Sequence, residues 1–540
     1  MRKIYSLIVM LSALPAVSLA AIDCQKLSGD RWKAGVEGQR QADLGNGCYL
    51  NPILSGDHPD PSIIKDGQDY YMTFSSFEDS PGLIIWHSRD LVNWQPVGPA
   101  LTQPTDAVWA PDLVKYGDQY YIYFTTNRII DEKGTKKKTL YVVTAKDIRG
   151  PWSAPKDMGL QNPASDPGHA VGEDGKRYLF MSGGNRVQLS DDGLSTVGPM
   201  SVVYTGWQYP EEWEVESFSQ EGPKILHHGD YYYMVLAEGG TAGPPTGHMV
   251  IAARSRSING PWENSPHNPI IRTQNKQEKW WSRGHATLIE GPDKQWYMVY
   301  HGYENGFMTL GRQAMLEPIV WGDDGWFTAS GGDTGKPLPM PKGGEAVVHG
   351  MAWSNSFTAD AFPLRWHFYH AQNNELQRVR LNNGELVLQA KGSSPKDTSP
   401  LTMIAGDRAY QVEVTAHFTP QAQAGLLLFY NQKLYVGLGV NAQGVVMHRY
   451  GMERNEKAPA HLQKVNTVDI RMINRENIVT FWTRPAGSDK WIKYPVQMEV
   501  SGYNQNVGYD FLSLRPALYS AGEGSVTFSD FRYQALPEAE

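Results

Sequence analysis

One unit of roughly fifty residues recurs five times along the first two thirds of the chain, and this repeat constrains the fold more than any other feature. Each unit combines a short apolar strand, a turn containing Gly or Asp, an aromatic strand such as DYYMTF, and a third strand. The units begin at Asp60, Ala110, Asp166, Glu221 and His285. Antiparallel four-stranded units at this period are typical of propeller blades. The repeat therefore predicts an all-β chain with a five-bladed β-propeller.

The pattern changes after the fifth unit. Residues 336–344 read KPLPMPKGG, a composition typical of a linker, and short alternating strands without the propeller period follow. These strands predict a β-sandwich. We therefore expect an N-terminal segment at 21–50, a catalytic propeller at 51–335, a linker at 336–350 and a sandwich at 351–540. No long helix is predicted in either domain.

The first twenty residues, MRKIYSLIVMLSALPAVSLA, predict a signal peptide. A basic start precedes a short apolar core, and Ser18 and Ala20 supply small residues for cleavage. Export would bring Cys24 and Cys48, the two cysteines of the sequence, into an oxidising compartment. We expect one disulfide between them and a periplasmic or extracellular protein.

The charge balance excludes two classes of partner. The sequence holds 49 Lys and Arg against 57 Asp and Glu, a net charge of −8. Such a chain has no electrostatic reason to bind nucleic acid or an anionic membrane, so a neutral substrate is expected. No segment after the signal is apolar enough to insert into a bilayer. The sequence leaves the oligomeric state open.

Carboxylates occupy three of the five aligned unit starts, at Asp60, Asp166 and Glu221. The first strand of each blade lines the propeller axis, so these side chains are expected to converge at one end of the channel. Glycoside cleavage needs one protonated and one ionised carboxyl group, and a third acid can raise the pKa of the proton donor. Carboxylates on opposite sides of an axis leave room for a water molecule, which favours inversion.

The ordered motifs identify a resemblance to glycoside hydrolase family 43 over about residues 51–329. The motifs are GDHPDPSI at 56–63, VWAPDL at 108–113, SDPGHAVGEDGKRYLF at 165–180, QEGPKI at 220–225, RGHATL at 283–288 and LGRQ at 310–313. The resemblance implies that Asp60 is the general base, Glu221 the general acid and Asp166 the residue that raises the pKa of the acid. The family pattern has His where this chain has Lys224. The C-terminal strands are similar to the concanavalin-like sandwich of the family's β-xylosidases.

Supporting roles are expected for four further residues. Arg312 is expected in the sugar pocket, Trp109 as an apolar wall against the sugar, and His248 near the sugar or the acid. In the family, the histidine that matches His285 lies near a central calcium ion. We therefore expect a water-mediated calcium contact at His285, because calcium prefers oxygen ligands. The chemistry itself requires no cofactor.

These features predict an inverting, exo-acting glycoside hydrolase on plant hemicellulose oligosaccharides, with β-1,4-xylosidase activity as the leading expectation. The alternative is an α-L-arabinofuranosidase or a dual enzyme, since xylopyranose and arabinofuranose have similar shapes in this type of pocket. A third hypothesis is a non-catalytic carbohydrate-binding protein, against which the intact acid trio argues.

Overall fold

The computed structural model describes residues 23–27 and 31–538, so the predicted signal at 1–20 lies outside the described residues. In these ranges the α-helices are Phe362–Arg365 and Gln505–Gly508, of four residues each. Short 3-10 helices lie at Cys24–Lys26, Val36–Gly38, Ser182–Gly184, Met308–Leu310, Glu375–Arg378, Pro395–Asp397 and Ala460–Leu462. No helix in the described part combines the length and apolar character that a membrane crossing requires.

Five consecutive antiparallel sheets in the described chain form the propeller, as the repeat predicts. The strands of blades 1 and 2 are Ser62–Asp66, Asp69–Thr73, Gly82–Ser88 and Gln95–Leu101, then Ala107–Val108, Asp112–Tyr116, Gln119–Ile129, Lys136–Ala145 and Lys156–Asp157. Blade 3 contains Gly168–Val171, Arg177–Met181, Asn185–Leu189 and Thr196–Val202. Blades 4 and 5 contain Gln220–His228, Tyr231–Glu238, Met249–Ser255, Glu263–Asn264 and Ile271–Arg272, then Trp280–Glu290, Trp296–Glu304, Arg312–Trp321 and Phe327–Ala329.

Adjacent aromatic residues in the second strand of each blade pack against different neighbours. In blade 2, Tyr120 and Ile122 belong to the apolar core shared with blade 1. Tyr121 and Tyr123 belong to the core shared with blade 3. Because side chains alternate between the two faces of a strand and both faces are covered, the strand is apolar throughout. This explains why runs such as YYIYF replace the polar alternation of a half-exposed sheet.

The N-terminal segment closes the ring against blade 5. The backbone N–H of Ile53 donates to the carbonyl of Ala314 at 2.9 Å, and Leu54 forms a bridge with the same residue. The predicted disulfide between Cys24 and Cys48 is confirmed, with Cα atoms 5.9 Å apart. Cys48–Tyr49 also pairs with Leu338–Pro339, so the segment expected to be a linker is held against the N-terminal segment. Two further short strands, Lys33–Ala34 and Arg40–Gln41, pair with each other.

Two antiparallel sheets form the C-terminal sandwich. In spatial order the first contains Met452–Lys457, Gly444–Arg449, Leu434–Asn441, Ala422–Asn431, Arg515–Gly522, Leu401–Thr402, His367–Tyr369 and Asp79–Ser80. The second contains Val379–Asn382, Glu385–Gln389, Ser525–Ala535, Ala409–Phe418, Thr467–Arg475, Ile478–Pro485 and Ile492–Lys493, with Met498–Glu499 also paired to Ile478–Pro485. Their inner faces share one large apolar core.

The propeller and the sandwich are joined by a shared sheet and a buried ion cluster. Asp79–Ser80 leaves blade 1 and pairs with His367–Tyr369, which makes it the edge strand of a sandwich sheet. Arg515 of the sandwich is 5% exposed; its Nη1 donates to Asp79 at 2.7 Å and its Nη2 to Asp57 at 2.9 Å. These contacts join segments that the sequence predicts to lie in different domains, the propeller at 51–335 and the sandwich at 351–540. Those domain boundaries remain a prediction.

Candidate active site

Four blades begin with a residue whose backbone lies in the left-handed region, which is uncommon outside glycine and is often found at functional sites. Their φ angles are 56° at Asp60, 61° at Asp166, 61° at Gly222 and 62° at His285. The kink precedes the first strand by two residues in blades 1 and 3, whereas in blades 4 and 5 it lies within the first strand, at a bulge. Asp60 and Asp166, together with Glu221, line one pocket at this end of the propeller axis.

The residue of blade 4 that matches Asp60 in backbone position is Gly222, and the alignment of Glu221 with the other unit starts is wrong by one residue. Bulges between Glu221 and Lys224, and between Gly284 and Thr287, shift the register by one residue. A Cβ atom on Gly222 would lie 2.6 Å from Nε2 of His285. Because this ring fills the space, the carboxylate of blade 4 comes from the preceding residue, on a longer side chain.

Asp60 is buried and surrounded by donors. Nη1 and Nη2 of Arg312 donate to its two carboxylate oxygens at 3.0 and 3.4 Å, and the Ser75 hydroxyl donates at 2.5 Å. Nδ1 of His285 lies 3.1 Å from Oδ1. Burial raises the pKa of Asp60, but Arg312 and the surrounding donors outweigh it, so the net pKa falls below its usual value. Asp60 is therefore ionised at neutral pH.

The pKa values of Asp166 and Glu221 shift upwards, in the opposite direction to that of Asp60. Burial, the charge of Asp166 and then that of Asp60 raise the pKa of Glu221 well above its usual value. Burial and Asp60 raise the pKa of Asp166 to about 7, although the Gly222 N–H donates to it at 3.0 Å. The two carboxyl groups titrate as an interacting pair. The pocket thus holds one ionised carboxylate, Asp60, and a coupled pair with raised pKa values in which Glu221 keeps its proton against the charge of Asp166, as acid and base roles require.

Aromatic rings from both domains form one wall of the pocket. Trp109 lines it as predicted, and its ring centroid lies 6.1 Å from that of Phe77 and 5.7 Å from that of Phe511. The guanidinium of Arg312 lies 5.2 Å from the Phe511 ring. Phe511 comes from the sandwich, and nothing in the propeller repeat could have identified it.

Two histidines lie behind the carboxylates. Nδ1 of His248 donates to the Gly239 carbonyl at 2.7 Å and lies 3.9 Å from Oε1 of Glu221, while its Nε2 has no partner. The ring stacks on His301 with 5.3 Å between centroids. His301 Nδ1 accepts the backbone N–H of Asp60 at 2.9 Å. Two residues of the site were not predicted, His301 and Ser75; each directly follows the last aromatic residue of the second-strand motif in its blade, and a comparison of polar residues at that place would have found them.

The donors around His285 do not suit calcium. The described residues contain no group of three or more His, Cys, Asp or Glu placed to hold a metal. Nε2 of His285 faces the backbone of Gly222, and its Nδ1 faces Asp60, which is already bound to Arg312. Calcium prefers six to eight oxygen ligands. The expected calcium contact therefore gains no support, and no step of the chemistry is assigned to a metal.

Comparison with known proteins decides the family. Residues 49–327 match the model of glycosyl hydrolases family 43, and residues 354–534 match the β-xylosidase C-terminal concanavalin A-like domain. The chain belongs to glycosyl hydrolases family 43. The predicted resemblance is confirmed in both domains, and the chain is a glycosidase of this family.

Its relatives differ in their named substrates. A xylan 1,3-β-xylosidase from a Vibrio species is 35% identical over 52% of this chain, and the chain spans only 57% of that enzyme. The non-reducing end α-L-arabinofuranosidase BoGH43B of Bacteroides ovatus is 29% identical over 91% of this chain and 94% of its own. The structure of the family 43 protein BlXynB from Bacillus licheniformis has a TM-score of 0.78 at 25% identity, covering 91% of this chain and all of that one.

The position of Gly222 gives a test of the site geometry. Gly222→Ala should lower kcat on an aryl glycoside by at least tenfold, because its Cβ would displace the His285 ring and the neighbouring Glu221. The matched control is Gly229→Ala in the same blade, which has a similar φ of 58° and no atom within 4 Å of the added Cβ. Equal losses in the two variants would show that backbone strain alone, and not the His285 contact, is responsible.

Proposed function

We propose that the chain is an inverting, exo-acting β-xylosidase on short β-1,4-xylo-oligosaccharides. The observation that carries this proposal is the opposed electrostatics of Asp60 and Glu221, which line the same pocket. The pKa of Asp60 is lowered and that of Glu221 is raised, so one group is ionised while the other keeps a proton. A binding protein has no need of this pair, which argues against the non-catalytic alternative.

In the proposed mechanism Asp60 accepts a proton from a water molecule as that water attacks the anomeric carbon. Glu221 donates its proton to the departing glycosidic oxygen in the same step. Arg312 holds Asp60 through both carboxylate oxygens and thereby fixes the direction in which the base acts. Asp166 disfavours the charged form of Glu221, so the acid stays protonated until the bond breaks.

Exo action is supported by the wall that the sandwich adds to the pocket. Phe511 and Phe77 stack with centroids 6.0 Å apart, and both lie beside Arg312. A chain end fits a pocket closed on one side, whereas attack within a long polysaccharide needs an open cleft.

α-L-Arabinofuranosidase activity is the second candidate, since the Bacteroides ovatus relative that aligns over 91% of this chain carries that name. Release of nitrophenol from aryl β-xyloside and aryl α-L-arabinofuranoside, measured side by side, distinguishes the two. We also propose export to the periplasm or the cell exterior; the disulfide between Cys24 and Cys48 supports it.

Substitution of the two proposed catalytic groups should separate their roles. Asp60→Asn and Glu221→Gln should each lower kcat on a xylo-oligosaccharide by about 10²–10⁴-fold. A dinitrophenyl xyloside should partly restore Glu221→Gln, because its leaving group needs little protonation, but should not restore Asp60→Asn. Glu212→Gln, at an exposed carboxylate of the same chain region, is the control. Near wild-type turnover of the oligosaccharide by either folded variant would refute the assignment.

The alkaline limb of the pH–rate profile should report the pair of Asp166 and Glu221. Asp166→Asn removes a charge that raises the pKa of Glu221, so the acid should lose its proton earlier and the limb should move to lower pH. Asp192→Asn, an exposed residue of the same blade, should leave the limb in place. If the alkaline limb of Asp166→Asn stays at the wild-type pH, Asp166 does not raise the pKa of Glu221 and serves only to accept the hydrogen bond from the Gly222 N–H.

The stereochemistry should be inversion. Base and acid come from blades 1 and 4, and a separation of about 6.5–9.5 Å admits water, whereas retaining pairs stand about 5–5.5 Å apart. Proton NMR early in the hydrolysis of a β-xyloside should therefore show α-xylose before mutarotation. β-Xylose as the first product, or a glycosyl adduct trapped on Asp60, would contradict a single displacement.

A further inference from the structure

A buried ammonium group lies in the channel below the three carboxylates. Lys224 is 7% exposed, and the bulge after Glu221 places it on the first strand of blade 4. Its Nζ donates to Asp112 Oδ1 at 2.8 Å and to the carbonyl of Pro111 at 3.0 Å, and lies 3.5 Å from the carbonyl of Pro167. These oxygens belong to blades 2 and 3, so one side chain joins three blades.

The hydrogen bonds around Lys224 continue to the other blades. The Asp112 carboxylate also accepts the Ser62 hydroxyl at 3.0 Å and the backbone N–H of His169 at 2.7 Å. The Thr287 hydroxyl donates to the carbonyl of Pro61 at 3.0 Å, which links blade 5 to blade 1. A layer of polar contacts thus connects all five first strands, with a single buried cation in it among the described contacts.

The Lys224 ammonium has the two features expected of a central metal ion, a positive charge and several oxygen neighbours. It places a positive charge on the axis and gathers carbonyl and carboxylate oxygens from neighbouring blades, and those oxygens are no longer free to bind calcium. Burial lowers the pKa of the His285 imidazole to about 3, and the charges of Lys224 and Arg312 act in the same direction. The same two charges would repel a divalent ion beside His285.

We propose that the Lys224 ammonium is the permanent central cation of this propeller, so that the axis is held together without a divalent metal. The group is covalently attached and its oxygens come from blades 2 and 3, which fixes the floor of the carboxylate pocket. Lys224 is a positioning residue, because it acts on Glu221 and Asp166 through the backbone and touches neither substrate nor reacting atoms.

The first test compares the wild-type chain with and without metal. Prolonged dialysis against EDTA, followed by addition of calcium chloride, should change neither the melting temperature nor kcat on an aryl glycoside. A melting temperature or kcat that falls on chelation and returns with calcium would overturn the proposal. The melting temperature is independent of the proposed activity, so a failure of the proposed function would not disturb this measurement.

The second test removes the cation. Lys224→Ala should lower the melting temperature by about 5–10 °C, because the buried Asp112 carboxylate would lose its opposite charge and keep only the neutral donors Ser62 and His169. n-Propylammonium chloride, which matches the deleted atoms, should recover part of that loss by entering through the cavity of about 210 Å³ beside Lys224 and Asp112. 1-Propanol and sodium chloride at equal concentration should not. If this variant does not fold, Lys224→Met, which keeps most of the length without the charge, replaces it with the melting temperature as readout.

The control is Lys115→Met, three residues after Asp112 on the first strand of blade 2, where a lysine side chain that is 36% exposed pairs with Asp66 at 2.6 Å. Exposed pairs contribute little, so its melting temperature should stay within about 2 °C of wild type. A Lys224 variant as stable as this control would overturn the proposal. A Lys224→Ala protein that 1-propanol restores as well as n-propylammonium would also overturn it, since volume rather than charge would then be what is missing.

Discussion

The convergence of five first strands on one axis is the constraint on which the rest of the structure depends. Space at the axis is so limited that one side chain decides what its neighbour can be. The His285 ring excludes a side chain at Gly222, and the carboxylate of blade 4 therefore arrives from Glu221. At the position where a perfect repeat would place an aspartate, blade 4 has Gly222, and a glutamate one residue earlier supplies the carboxylate. The asymmetry between Asp60 and Glu221 follows from this local competition for space.

The architecture and the acid trio could be predicted from the sequence because both depend on periodic patterns. Aromatic runs such as YYIYF recur since both faces of every second strand are covered, and the acids recur at or next to the kinks where the blades begin. The one-residue offset at Glu221 was not predictable, because a bulge leaves no mark in a hydrophobic pattern. His301 and Ser75 act through Asp60 and follow the aromatic motif, where the repeat has no common residue type that would mark them.

The contacts between the two domains could not be predicted from any local pattern in the sequence. Arg515 binds Asp57, and Asp57 accepts the backbone N–H of Arg312 at 3.2 Å, so a sandwich residue helps to orient the arginine that holds Asp60. Phe511, four residues before Arg515, reaches the pocket from the same segment. The sandwich thus lines the candidate active site, although it follows the whole propeller in the sequence.

The strand Asp79–Ser80 has a consequence for how the protein is made. It belongs to blade 1 by sequence, yet its strand partner His367–Tyr369 is synthesised only after the whole propeller. Phe511 follows later still. During translation the five blades can therefore emerge complete while one edge of blade 1 waits for a partner and the pocket lacks a wall. The order of synthesis therefore delays completion of the candidate pocket until the sandwich segment has been made and has folded onto the propeller.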